Sequence, residues 1–170
     1  MPGRSIPSLA LGLCCLCLPL SAAAQPANLA LGKPVNALTD TVSGQPADVV
    51  DGDPATVWWS YQGNYTEVSF VLDLGRAEHF TSVVQFPRQT SLLVVEFSLD
   101  AQRWEPLHQQ TLPWPGNAEV AVQRADRPRA RFFRYTGSNA ETAYAGVGDF
   151  QVFDADGVFT DGFEGAAAAP

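Results

Sequence analysis

Apolar and polar positions in this chain follow the period of strands rather than helices. Val68-Ser69-Phe70-Val71-Leu72-Asp73-Leu74 is rich in β-formers and roughly alternates. Phe80 to Phe86, Leu92 to Leu99, Arg129 to Tyr135 and Asp149 to Phe153 are similar runs, and Glu119 to Gln123 alternates cleanly. Turn-forming residues separate them at Gly75-Arg76, Pro87-Arg88, Asp100-Ala101, Pro113 to Asn117 and Asp126 to Pro128. Arg76-Ala77-Glu78-His79 reads as a short turn. No helical period lasts beyond a turn or two, and no internal repeat is present. Short strands at this spacing predict an all-β sandwich or barrel.

The first 24 residues stand apart from this pattern. Arg4, the apolar run Leu9 to Leu20 and Ala22-Ala23-Ala24 before Gln25 read as a secretory signal peptide, with the apolar run too short to span a bilayer. A lipoprotein signal using Cys14, Cys15 or Cys17 ranks second, because none of them has the usual preceding small residue and upstream leucine. Cleavage near Ala24 would remove all three cysteines and deliver a secreted or periplasmic chain without disulfides. The expected organisation is a signal peptide at 1–24, one β-domain at 25–153 and a flexible tail at 154–170. Within the tail, Asp154-Ala155-Asp156-Gly157 begins like a calcium loop but lacks the EF-hand's later ligands.

Charge narrows the partners. Ten basic residues face eighteen acidic ones, for a net charge of −8, and Lys33 is the sole lysine. That balance argues against nucleic acid and anionic lipid as partners and suits attraction of cations. No later apolar run is long enough for a transmembrane helix, so membrane insertion is not expected.

The densest chemistry lies in Asp51-Gly52-Asp53-Pro54-Ala55-Thr56-Val57-Trp58. Two carboxylates and a hydroxyl flank a glycine and a proline, just before an apolar aromatic. Hard cations such as calcium take several oxygens from one compact loop. An acidic surface turn is the plainer reading of the same residues.

Taken together, the pieces resemble the discoidin family, the coagulation factor 5/8 type C domains, whose bacterial members act as carbohydrate-binding modules. Asn28-Leu29-Ala30-Leu31-Gly32-Lys33-Pro34-Val35 resembles the family's opening strand. Asp51-Gly52-Asp53 with Thr56 and Trp58 resembles its cation loop, and Leu72-Asp73-Leu74-Gly75 a strand end. Phe86-Pro87-Arg88-Gln89, Ser98-Leu99-Asp100 with Trp104, Arg131-Phe132-Phe133-Arg134 and Asp149-Phe150-Gln151-Val152-Phe153 complete a match over roughly 28–153. Ala101 replaces the usual turn glycine, which suggests another turn type, and Asp149 stands where the family more often has glutamate.

The resemblance implies a galactose-binding-domain-like jelly-roll sandwich with a structural calcium ion. Its ligands would be the Asp51 and Asp149 carboxylates, the Thr56 hydroxyl and carbonyl, and the carbonyls of Asp48, Asp53 and Gly148. It also implies a ligand site in loops at one end, with Tyr144 as a stacking aromatic and Arg88 binding sugar hydroxyls. Trp59, Tyr61, Asn64 and Asn139 lie in the same loops. Trp59 could instead be packing, and Arg88 could pair with a carboxylate such as Glu96. Trp58 and Trp104 are expected in the core and Trp114 exposed. Asn64-Tyr65-Thr66 fits a glycosylation sequon.

These readings converge on a secreted, non-catalytic carbohydrate-binding module, expected as a monomer, with a glycan or glycoprotein ligand. An adhesion or protein-interaction domain using the same loops is the alternative. Catalysis finds little support. The mature chain would lack cysteine, His79 and His108 have no partner motif, and no nucleophile elbow, Walker loop or zinc-protease motif occurs. Asp51 and Asp53 suit a cation better than paired-carboxylate glycoside hydrolysis.

Overall fold

The computed structural model describes residues 26–61, 66–142 and 144–154. The signal peptide, the tail beyond Asp154, Ala143 and the segment holding Asn64 lie outside the described residues. Ten strands are present among those described: β1 (Val35–Ala37), β2 (Asp40–Ser43), β3 (Trp58–Tyr61), β4 (Thr66–His79), β5 (Ser82–Arg88), β6 (Leu92–Ser98), β7 (Glu105–Thr111), β8 (Val120–Gln123), β9 (Arg129–Asn139) and β10 (Ala145–Phe153). They make two five-stranded sheets, ordered β1-β4-β9-β6-β7 and β2-β3-β10-β5-β8. All pairings are antiparallel. One short 3₁₀ helix, Pro46–Val50, precedes the acidic loop. The fold is thus an all-β sandwich.

The core lies between the sheets. Val68, Phe70 and Leu72 of β4 alternate inward, as do Leu93, Val95 and Phe97 of β6 and Phe133 and Tyr135 of β9. Phe70 stacks on Tyr135 with ring centroids 5.2 Å apart, and Phe80 meets Phe133 edge-on at 5.1 Å. Burying each such ring contributes about 1.5–3 kcal/mol. Trp58 is fully buried and its indole N–H donates to the Thr41 hydroxyl at 3.0 Å. Trp104, expected in the core, is only half-buried, with the Arg134 guanidinium 4.5 Å from its ring. It covers an outer face rather than filling the interior.

Arg76 to His79, expected as a turn, continue β4 beyond a bulge between Asp73 and Glu78. Gly75 at φ +87 supplies the left-handed residue of that bulge, so the turn-forming dipeptide kinks the strand without ending it. The opening segment is mostly not a strand. Asn28 makes a single bridge to Phe153, the Leu29 N–H donates to the Val152 carbonyl at 2.7 Å, and the Asn28 side chain accepts from the Val152 N–H at 3.1 Å. Hydrogen bonds thus clasp the two ends of the domain. Ala101 keeps a positive φ of 57 without glycine, its N–H held by the Ser98 hydroxyl.

The registers define two poles. Asn28, His79, Ser82 and Phe153 lie at one end. The other end, the rim, gathers Tyr61, Arg88, Asn139 and Ala145 with the loops that follow or precede them.

Candidate functional site

The acidic loop is held by its own side chains. Asp51 accepts from the Asp53 N–H at 2.8 Å and, through its other oxygen, from the Thr56 hydroxyl at 2.8 Å. The same hydroxyl also lies 2.8 Å from the Asp53 carbonyl. One hydroxyl hydrogen therefore faces two acceptors, leaving an oxygen cluster richer in lone pairs than in protons. The Asp53 carboxylate accepts from the Ala55 N–H. Asp48 caps the 3₁₀ helix, its carboxylate accepting from the Gln45 N–H at 2.8 Å.

Asp149 reaches this cluster through a bulge. Register shifts between Val147 and Phe150, so Phe150 enters the core while the fully buried Asp149 turns toward the acidic loop. Its carboxylate accepts from the Phe150 N–H at 2.9 Å and the Gln151 amide at 2.7 Å. Burial pushes Asp149 above the ordinary carboxylate range, and the charge of Asp51 adds to the rise. The fold thus brings Asp51, Asp53, Thr56 and Asp149 together.

The donor set fits a hard cation, since two carboxylates, a hydroxyl and a carbonyl converge with Asp149 buried without a basic partner. Among the described residues no three His, Cys, Asp or Glu side chains gather as a metal cluster, so such a cation would depend on hydroxyl and carbonyl oxygens. Gly148 is required for the geometry. A Cβ there would sit 2.5 Å from the Pro54 carbonyl.

That carbonyl links the loop to the rim. Arg88 donates through Nη2 to the Pro54 carbonyl at 2.8 Å and through Nη1 to the Pro87 carbonyl at 3.1 Å. It does not pair with Glu96, which binds Arg134 on the other sheet. Across β3, β10 and β5, Trp59, Gly146 and Arg88 stand opposite one another on one face. The Trp59 ring covers Gly146 so closely that a Cβ there would lie 2.8 Å from it. One residue beyond the paired Ala145 and Ser60 come Tyr144, 47% exposed, and Tyr61, 41% exposed. The result is an aromatic shelf beside a guanidinium.

Asn139 takes a different place from the one expected. It is buried, its amide donates to the Gln89 carbonyl and the Thr142 hydroxyl, and its oxygen accepts from the Glu141 N–H. It therefore holds the rim loops instead of facing a ligand. Gln89 and Asn117 join this network, the Gln89 N–H donating to the Asn117 side chain at 2.8 Å. Sequence reasoning missed both. Gly146 and Gly148, inside a strand, were the legible sign of close approach at this site.

Comparison with known proteins follows from this geometry. The F5/8 type C domain family model matches residues 34–148. No curated protein shows a significant sequence match. Among solved structures, chitosan-binding module 1 from a chitosanase/glucanase of Paenibacillus sp. IK-5 aligns with a TM-score of 0.64 at 20% identity, covering 75% of this chain and 99% of that one. Module 2 of that enzyme, in complex with chitotriose, gives 0.64 at 23%, covering 75% and 100%. The family 32 carbohydrate-binding module from Clostridium perfringens NanJ, in complex with galactose, gives 0.62 at 14%, covering 72% and 94%. With the family model spanning most of the described sandwich, the chain belongs to the F5/8 type C, or discoidin, domain family.

Proposed function

We propose that this chain is an exported, non-catalytic carbohydrate-binding module that acts as a monomer and takes its glycan at the rim. The carrying observation is the Trp59 ring laid over Gly146 beside Arg88. An aromatic face suits the apolar face of a pyranose. A guanidinium carries five N–H donors, and Arg88 directs one terminal nitrogen to each of two carbonyls, so donors remain for sugar hydroxyls. Tyr61 and Tyr144 extend the shelf. The similar modules named above bind chitosan, chitotriose and galactose, which supports the same class of ligand here.

Calcium belongs to this reading as a structural ion. Asp51, Asp53, Thr56 and Asp149 would hold it, with carbonyls of Asp48 and Gly148 completing the shell, and six or seven hard oxygens suit calcium over magnesium. When bound it supplies compensating charge to two facing carboxylates. The chain's own residues do the rest: the loop fixes the Pro54 carbonyl, and that carbonyl orients Arg88.

A glycan array with the purified mature domain tests the proposal. Saturable glycan binding that is lost in Trp59→Ala and Arg88→Ala supports it. Binding to proteins alone would replace it with the adhesion reading.

A further inference from the structure

The rim does not end at Arg88. In the sheet order β3-β10-β5-β8, the next strand is β8, and the loop 112–119 leads into it from the rim, with Val120 paired to Gln85. That loop presents Trp114, 51% exposed. An exposed indole on a floppy loop would mean little, but this loop is firmly seated. The Leu112 N–H donates to the Ser91 carbonyl at 2.8 Å and Leu112 is buried. Asn117 accepts from the Gln89 N–H, and Gly116, at φ +66, packs so tightly that a Cβ would fall 1.8 Å from the Thr90 carbonyl. Strands lie about 4.8 Å apart, so the three steps from β3 to β8 separate the Trp59 shelf from the Trp114 loop by about 14 Å. That is longer than one sugar ring.

Charge sets the class of glycan. Lys33, Arg76, Arg103, Arg124, Arg127 and Arg129 sit toward the opposite pole, and Arg131 and Arg134 pair with Asp73 and Glu96 on the outer face of the other sheet. Among the described residues Arg88 is the sole cation of the rim. Three exposed carboxylates stand along it: Asp40 opposite Tyr61, Glu141 in the β9–β10 loop, and Glu119 just before β8. None has an arginine or lysine partner among the described residues. Elsewhere arginines cover the carboxylates.

We infer that the rim binds a positively charged amino-sugar oligosaccharide rather than a single sugar, with Trp59 and Tyr144 holding one ring and Trp114 stacking on a more distant one. The inference rests on the glycan-binding reading and deepens it.

Calorimetric titration of the purified mature domain with glucosamine, chitotriose and N-acetylated chitotriose tests it. Chitotriose should bind at least tenfold tighter than glucosamine. Trp114→Ala should lower the chitotriose-to-glucosamine affinity ratio about three- to tenfold, and Trp114→Phe should retain most of it. The N-acetylated trimer should bind more weakly than chitotriose, and added salt should narrow that gap. An unchanged ratio in Trp114→Ala, with an unchanged melting curve, would overturn the distal subsite. Equal affinity for the acetylated trimer would overturn the amino-sugar class. If the wild type binds a neutral glycan on the array but not chitotriose, the glycan reading stands and this inference falls. If it binds no glycan, both fall.

Discussion

The two poles of the sandwich use the same kinds of side chain in opposite ways. At the pole of the chain ends, charges satisfy each other: Arg76 with Glu78, Arg124 with Asp126 and Arg127 with Asp154. Asn28 closes the ends by accepting from Ala30 and Val152. At the rim, buried polar groups such as Asn139 are fully used, while the surface keeps open rings at Tyr61, Trp114 and Tyr144. One pole completes the fold, and the other holds its satisfied groups underneath and its unsatisfied ones outside. A receptor surface is recognisable by that separation.

Substitutions should split the poles. The largest effect is expected from Gly148→Ala, which drives a methyl into the Pro54 carbonyl. It should cost about 1–3 kcal/mol of stability in chemical denaturation and weaken glycan binding with it, because Arg88 leans on that carbonyl. Calcium withdrawal comes next. EDTA should lower the melting temperature by several degrees and excess calcium restore it, in line with about 2.7 kcal/mol at a hundredfold excess over Kd. Asn28→Ala should cost about 1–2 kcal/mol by orphaning two N–H groups, yet leave glycan affinity unmoved.

The smallest effect is expected from Asp73→Asn. The Arg131 side chain, donating to Asp73, holds that carboxyl below its ordinary range. A depressed carboxylate stabilises the fold above its unfolded pKa and loses that contribution as pH falls through the folded one. The pair is partly exposed, so the difference between wild type and variant should stay under about 1 kcal/mol at neutral pH and vanish in acid.

Much of the sandwich was legible because its long strands bury one face. β4, β6 and β9 carry alternating Val, Leu and Phe that solvent cannot accommodate. β2 was not legible, since all four of its residues are exposed and polar or small. β7, Glu-Pro-Leu-His-Gln-Gln-Thr at a sheet edge, lacks an apolar face for the same reason. β3 was hidden by its position directly after the acidic loop, and the Gly75 bulge was mistaken for a chain reversal because both need positive φ. Within the site, the loop oxygens could be read directly from Asp51, Asp53 and Thr56. The approach of Asp149 depends on a bulge that no local pattern announces, and it came only through family resemblance. Asn139 looks like any loop amide until tertiary packing buries it.

The central claim is that an oxygen-rich loop steadies an aromatic rim for a glycan. Calorimetric titration of the wild-type domain with chitotriose, in calcium and again after EDTA, tests it most directly. The account predicts saturable binding in calcium that weakens at least severalfold in EDTA and is lost in Trp59→Ala. Absence of binding in calcium, or equal affinity in all three samples, would contradict it.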